Sequence, residues 1–184
     1  MDKALVSTSK FLSLVLRHRP ETIGIKLDES GWVAIADLLK ATNSHPNGKR
    51  LDRELLVRAV RENDKQRFAI SEDGLRIRAN QGHSVNVDLG LEPVKPPAIL
   101  YHGTVDKFID SIRTQGLLPR KRQFVHLSPD TETANIVGKR RGKPVILSID
   151  SKRMDADAIK FYRSQNGVWL VDHVPPQYIS FPTG

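Results

Sequence analysis

A proline-rich segment in the middle of the chain limits what this sequence can fold into. Residues 85–97 contain Pro93, Pro96 and Pro97 and show neither helical nor strand periodicity. Stretches of this kind are typical of linkers between domains. The chain has 184 residues, which is enough for two small domains. We therefore predict two lobes, residues 1–90 and residues 91–184.

The first lobe has the pattern of helices followed by a hairpin. Apolar residues at near-helical spacing predict three helices, over 3–17, 33–41 and 51–62. Two segments that alternate polar with apolar residues then flank Glu72-Asp73-Gly74, which is the pattern of a β-hairpin. These features predict a winged-helix-like lobe.

The second lobe has a different pattern, with many short strands and few helices. Helices are predicted over 105–114 and 131–137. Strands are predicted over 99–104, 124–128, 144–149, 159–162, 168–171 and 178–181. This mixture indicates an α+β lobe rather than a doubly wound sheet.

Composition excludes several classes of protein. The chain has no cysteine, which excludes a disulfide scaffold, a thiol nucleophile and a cysteine-ligated zinc or iron–sulfur site. No apolar run approaches the roughly 20 residues that span a bilayer, and residues 1–20 lack the apolar region of a signal peptide. We therefore expect a cytoplasmic protein with no membrane partner, and a monomer as the default state.

Charge and standard motifs leave the function open. The formal net charge is +8, and basic side chains attract phosphate polymers. They are spread over both lobes, however, so a solvated surface of mixed charge explains them equally well. The glycine fingerprint of dinucleotide folds, the P-loop and the zincin motif are all absent. The six histidines never fall at the spacing of a helical metal pair, and we predict no metal site.

Arginine and histidine residues beside predicted elements are candidates for binding an anion. Arg17 and His18 end the first helix, Arg67 lies on a strand, and Arg122 precedes another strand. Guanidinium groups and an imidazole that converge on one point would suit a phosphate dianion. Simpler interpretations stay open for each of them, since a solvated arginine also favours a helix C terminus and a surface strand also carries arginine.

Two apolar runs of the second lobe end in polar residues. They are Tyr101-His102-Gly103-Thr104 and Val125-His126-Leu127-Ser128. Gly103 would let a backbone approach a flat ligand closely, and His102 and Ser128 would suit ribose hydroxyls. Spacing alone favours the alternative that the two histidines are buried and bonded to the backbone.

Five motifs that occur in order identify a family resemblance. They are Leu-Arg-His at 16–18, Gln-Arg-Phe at 66–68, Arg-Ala-Asn-Gln-Gly-His-Ser at 78–84, Tyr-His-Gly-Thr at 101–104 and Val-His-Leu-Ser at 125–128. From about residue 3 to its C terminus, the chain resembles the NAD-dependent RNA 2′-phosphotransferase family. The resemblance implies an N-terminal winged-helix lobe that contacts RNA and a C-terminal ADP-ribosyltransferase-like lobe that binds NAD.

The resemblance also implies a reaction in two steps. An internal RNA 2′-monophosphate, such as that of a tRNA splice junction, attacks the anomeric carbon of the nicotinamide ribose and expels nicotinamide. The ribose 2″-hydroxyl of this RNA-phospho-ADP-ribose intermediate then attacks phosphorus, which gives 2′-hydroxyl RNA and ADP-ribose 1″,2″-cyclic phosphate. NAD is consumed as a co-substrate. An ionised phosphate is already a nucleophile, so the first step needs positioning more than a general base.

The residues that match the family's motifs acquire roles from the resemblance. The implied catalytic set, which clamps the phosphate, is Arg17, His18, Arg67 and Arg122. The implied lining of the nicotinamide and its ribose is His102, Gly103, Thr104 and Ser128. Arg140 is an expected contact of the pyrophosphate, although a solvated basic turn explains it equally well.

Two other classes of protein stay open at this point. One is a non-catalytic winged-helix protein that binds nucleic acid. The other is an ADP-ribosyltransferase that acts on a protein or a nucleic-acid terminus. Related transferases with weaker nucleophiles commonly use a late glutamate, whereas the last glutamate here is Glu132. This favours a phosphate as the acceptor.

Overall fold

The chain forms two units, Met1–Gly90 and Leu91–Gly184, and each has a hydrophobic core of its own. A computed structural model describes residues 3–46 and 50–182. The boundary between the units lies inside the proline-rich segment. Within the described ranges, no helix is long and apolar enough to cross a membrane.

The first unit combines three helices with a small antiparallel sheet. The helices are α1 (Lys3–Arg17), α2 (Ile35–Ser44) and α3 (Arg53–Arg61). The strands are β1 (Val33–Ala34), β2 (Phe68–Ile70) and β3 (Arg76–Ala79), in the order β1-β3-β2. The core contains the apolar face of α1 together with the inward side chains of β3. The predicted helices and hairpin are confirmed.

Local chemistry explains where these elements begin and end. Leu12, Val15 and Leu16 are fully buried, and their spacing of three and four residues fixes the inner face of α1. Asp52 caps α3 by accepting a hydrogen bond from the Leu55 N–H at 2.8 Å. Helix α2 begins later than predicted, because β1 pairs with β3 before the helix starts. Pairing across this distance in sequence leaves no local signal.

The second unit contains two antiparallel sheets of three strands, in the orders β4-β6-β9 and β5-β8-β7. Its helices are α4 (Ile109–Gln115), α5 (Thr131–Gly138) and α6 (Ser151–Ala156). Its strands are β4 (Leu100–Val105), β5 (Val125–Leu127), β6 (Pro144–Ile149), β7 (Tyr162–Arg163), β8 (Trp169–Val171) and β9 (Ile179–Ser180). Both units therefore mix helices with antiparallel sheets, as predicted.

One region of the second unit differs from the prediction. The sequence does not predict α6. Where it predicts a strand over 159–162, the structure has only the shorter strand β7. Asp150 caps α6 through the Arg153 N–H at 3.0 Å, while Met154 is fully buried. The segment after the helix starts with the Ile159 N–H bonded to the Met154 carbonyl at 3.0 Å, so it closes the helix instead of joining a sheet. A helix of six residues is too short to show a periodic pattern.

Candidate functional site

The C-terminal end of α1 is held by the segment that follows the hairpin. Arg17 is the last residue of the helix, and His18 follows it. The backbone N–H groups of Ser84 and Val85 donate to the Arg17 carbonyl at 2.9 and 3.3 Å. A carbonyl at a helix end has no partner within the helix, so these bonds satisfy it and fix the end in place. The Ser84 hydroxyl also lies 2.9 Å from His18 Nδ1.

A tight turn before β2 brings Arg67 to the same place. Gln66 has a φ of 41°, which only a well-supported turn maintains in a residue other than glycine. Asn80 supports it, since its Nδ2 donates to the Gln66 carbonyl at 2.6 Å and its backbone N–H donates to the Arg67 carbonyl at 2.9 Å. Arg17 Nη2 donates to that same Arg67 carbonyl at 3.3 Å. The structure therefore brings Arg17, His18 and Arg67 together in the first unit.

Asn63 orients the side chain of Arg67, a role that no sequence motif indicates. Its side-chain oxygen accepts from Arg67 Nη1 at 3.4 Å and from the Lys65 N–H at 3.2 Å. Its side-chain nitrogen donates to Ser9 Oγ on α1 at 2.8 Å. Asn63 is buried. The only local signal is an asparagine in the turn between α3 and β2, a common position for such side-chain to backbone bonds.

His83 is the buried neighbour of this cluster and is held in its neutral form. Burial is the main cause that lowers its pKa to about 4, followed by the charges of Arg17, His18 and Arg78. Among the residues that the structure describes, neither ring nitrogen of His83 has a hydrogen-bond partner. His83 therefore adds no positive charge to this region at neutral pH.

In the second unit, the ends of β4 and β5 are joined through Tyr101 and Ser128. The backbone N–H of each donates to the carbonyl of the other at 2.8 Å. His102 is next on β4, and its Nδ1 lies 3.0 Å from the His126 carbonyl. A carbonyl only accepts, so Nδ1 carries the proton and Nε2 is the acceptor nitrogen of the neutral ring.

Arg122 lies beside the second histidine of this junction. Its Nη1 is 3.3 Å from His126 Nδ1. A guanidinium only donates, so this nitrogen accepts the hydrogen bond and the proton of the neutral His126 ring is on Nε2. Arg122 is exposed, in the segment just before β5. The structure thus groups Arg122, His126 and His102 within the second unit.

The other residues predicted for the second unit have more varied surroundings. A Cβ added at Gly103 would lie 1.8 Å from the Ala134 carbonyl oxygen, so α5 fills the space beside this glycine. The backbone that approaches Gly103 closely is therefore that of a helix, whereas the sequence suggested a ligand there. Thr104 is buried, and Arg140 is exposed on the 3₁₀ turn Lys139–Arg141.

The first unit thus contains an arginine-rich cluster at the end of α1, and the second contains a polar junction between two strand ends. Comparison with known proteins shows the family of the chain. Residues 3–173 match the model of the family described as "RNA 2'-phosphotransferase, Tpt1 / KptA family". The chain belongs to the RNA 2′-phosphotransferase family, a family of transferases. The family predicted from the five ordered motifs is confirmed.

Individual relatives match over almost their whole length. A protein of Rhodopirellula baltica is 59% identical over 183 residues, which cover 99% of this chain and 98% of that protein. One from Acaryochloris marina is 53% identical over 178 residues, covering 97% of each chain. One from Flavobacterium johnsoniae is 55% identical over 175 residues, covering 95% of each chain. All three carry the name "Probable RNA 2'-phosphotransferase".

Proposed function

We propose that this protein removes an internal 2′-monophosphate from RNA by transferring it to NAD. The products are 2′-hydroxyl RNA, nicotinamide and ADP-ribose 1″,2″-cyclic phosphate. Membership of the RNA 2′-phosphotransferase family supports the phosphate transfer. The observation that carries the proposal is the meeting of Arg17, His18 and Arg67 at one end of α1.

Arg17 and Arg67 are suited to bind the phosphate. Arginine stays charged and offers a planar set of N–H donors that matches phosphate oxygens. Arg67 is oriented by Asn63 at 3.4 Å, and the Arg17 guanidinium lies 5.7 Å from the centre of the Phe68 ring. Donors that are already in place stabilise the charge that develops at phosphorus without reorganising during the reaction.

His18 is suited to accept the proton of the attacking hydroxyl in the second step. The Ser84 hydroxyl is within 3.5 Å of the Arg17 carbonyl, which can only accept, so its proton points there. Its oxygen is then the acceptor for His18 Nδ1–H, at 2.9 Å. In this arrangement Nε2 is the basic nitrogen of the neutral His18 ring.

The junction of β4 and β5 fits the nicotinamide ribose. His102 Nε2 is an acceptor for a ribose hydroxyl, and the Ser128 hydroxyl, just after β5, can donate or accept. Bound NAD would supply the electrophilic anomeric carbon from which nicotinamide leaves. Gly103 and Thr104 extend the same strand end, and Arg140 offers a cation for the pyrophosphate.

Arg122, in the second unit, is the further arginine that the family resemblance implies for the phosphate. Its contact with His126 Nδ1 at 3.3 Å restrains a side chain that is otherwise exposed. We assign the first unit as the winged-helix-like, RNA-contacting lobe and the second as the ADP-ribosyltransferase-like, NAD-binding lobe of a cytoplasmic enzyme. RNA binding by the first unit is expected to be mainly electrostatic and to weaken with salt.

A single-turnover incubation tests this function. The purified protein is mixed with a short oligonucleotide that carries one internal 2′-phosphate, with and without NAD, and the products are resolved by mass. We expect NAD-dependent loss of the phosphate together with release of ADP-ribose cyclic phosphate. ADP-ribose that stays attached to an acceptor, with no cyclic phosphate, would instead indicate an ADP-ribosyltransferase with a different acceptor.

A further inference from the structure

We propose that a cleft in the first unit binds the nucleoside whose ribose carries the 2′-phosphate. This inference rests on the proposed function, since it concerns how the same RNA substrate is held. The cleft has a volume of about 500 Å³ and lies between α1 and the segment that connects α3 to β2. That volume is within the range of about 300–1,000 Å³ of pockets that hold small organic ligands.

The position of the cleft relative to the candidate phosphate site is the first argument. His18 and Arg67 both line it. A phosphate bound by these two side chains is joined through one oxygen to the ribose, so the rest of that nucleotide must lie directly beside them. This cleft begins at those residues and is open to such a nucleotide.

The lining of the cleft suits a base and a ribose. Val6, Leu14 and Ala59 supply apolar surface, and Leu14 is 38% exposed although it is a large apolar side chain. Apolar surface of this kind packs against the face of a base. The Ser13 hydroxyl adds a polar group that can bond to a ribose hydroxyl or to a base edge. Pockets that bind small ligands commonly combine apolar walls with a few polar groups in this way.

The distribution of charge favours an uncharged nucleoside inside the cleft and phosphates at its ends. Two acidic residues line the cleft together with three basic ones, namely Glu62, Asp64, Lys10, Lys65 and Arg67. This mixture of charges offers no continuous basic track for a phosphodiester along the cleft. Glu62 is partly offset by Arg58, which is 3.3 Å away. Lys10 is eight residues before His18 on the helix, which is about 12 Å along its axis. It is therefore placed for the phosphate of a neighbouring nucleotide.

A substitution that fills the cleft tests this inference directly. Ser13→Phe places a ring in the cleft, whereas the control Ser7→Phe places the same ring on an exposed position of α1 that does not line it. Two oligonucleotides of equal length are compared, each with one internal 2′-phosphate. One has a normal base at the phosphorylated nucleotide and the other is abasic there. Their dissociation constants are measured for both variants and for the unaltered protein.

We expect the unaltered protein and Ser7→Phe to bind the base-containing oligonucleotide about tenfold more tightly than the abasic one. Ser13→Phe should bind both equally. A thermal unfolding curve checks that each variant is folded, and Leu14→Ser provides a second, smaller change that should reduce the preference. Equal binding of both oligonucleotides by the unaltered protein, or a preference that survives in Ser13→Phe, would overturn the inference.

Adding NAD to the same samples separates this inference from the proposed function. A base preference without any loss of phosphate would support the cleft and contradict the proposed reaction. Loss of phosphate from both oligonucleotides with no base preference would support the reaction and contradict the cleft.

Discussion

The two units build their candidate sites from different kinds of contact. In the first unit, Arg17 bonds to a residue 50 positions away, and His18 to one 66 positions away. In the second unit, Arg122 and His126 are four residues apart, and the remaining contact is between neighbouring strand ends. The arginine cluster therefore depends on contacts that span most of the first unit, whereas the strand junction depends on contacts between residues 4 and 24 positions apart.

The two units also fix their histidines differently. His18 Nδ1 meets the hydroxyl of Ser84, a side chain that substitution can remove. His102 Nδ1 meets a backbone carbonyl, which no substitution removes. We expect the tautomer of His18 to depend on the Ser84 side chain, and the tautomer of His102 to be set by the fold of the strands.

Of the changes that this contrast predicts, the largest is the loss of phosphate-removal rate in Arg67→Ala. Loss of a preorganised donor at a reacting phosphate should slow phosphate removal by about 100- to 1,000-fold. Nicotinamide release should slow less, because the first step relies on positioning an existing nucleophile. A single-turnover time course that follows nicotinamide and 2′-hydroxyl RNA in one sample measures both. The matched control is Arg76→Ala, an exposed arginine on β3 of the same unit. If nicotinamide release alone slowed, the phosphate clamp would be wrong.

Gly103→Ala probes the packing of the second unit. Its new Cβ would meet the Ala134 carbonyl oxygen, so α5 must move away from β4. We expect about 3 kcal/mol of stability to be lost, which is typical of overpacking against backbone. Denaturant unfolding checks this value. Gly24→Ala is the comparison, because its Cβ meets open space and only its φ of +72° is unfavourable. Equal losses in the two variants would show that clash with α5 is not the cause.

His83 predicts a pH dependence of stability in the first unit. Its pKa is about 4 when folded, below the ordinary value of 6.5, chiefly because the ring is buried. The unfolded chain therefore binds the proton first as the pH falls, and this stability, present above pH 6.5, is lost towards pH 4. Between pH 7 and pH 5 the loss should be about 2 kcal/mol. Urea unfolding of His83→Gln should show a shallower pH dependence, and an unchanged slope would refute the assignment.

The smallest expected effect is that of Asn63→Ala on the KM for 2′-phosphorylated RNA. Without Asn63 the Arg67 side chain loses a restraint, and we expect the KM for 2′-phosphorylated RNA to rise about tenfold while the KM for NAD stays constant. Asn43→Ala is the control, because Asn43 holds the Leu51 backbone at 2.8 and 2.9 Å in another part of the same unit. A similar rise in KM for both variants would mean that Asn63 acts through stability alone.

The sequence predicts features that depend on local pattern and misses those that depend on distant partners. Helix α1 is predictable from its apolar stripe, and the hairpin from its turn residues. The side-chain bonds of Asn63 were not predictable, since they join α1 to the turn before β2. The sequence predicts a close approach to Gly103, but it does not show that α5 is the approaching partner.

Separate titrations of two variants test the division of labour between the units most directly. Arg17→Ala and His102→Ala are each titrated with NAD and with 2′-phosphorylated and unphosphorylated RNA, after thermal unfolding confirms that they are folded. We predict that Arg17→Ala loses the preference for phosphorylated RNA and binds NAD with unchanged affinity. His102→Ala should show the reverse, weaker NAD binding with the RNA preference intact. If both variants weakened both ligands to the same extent, the assignment of phosphate to the first unit and NAD to the second would be contradicted.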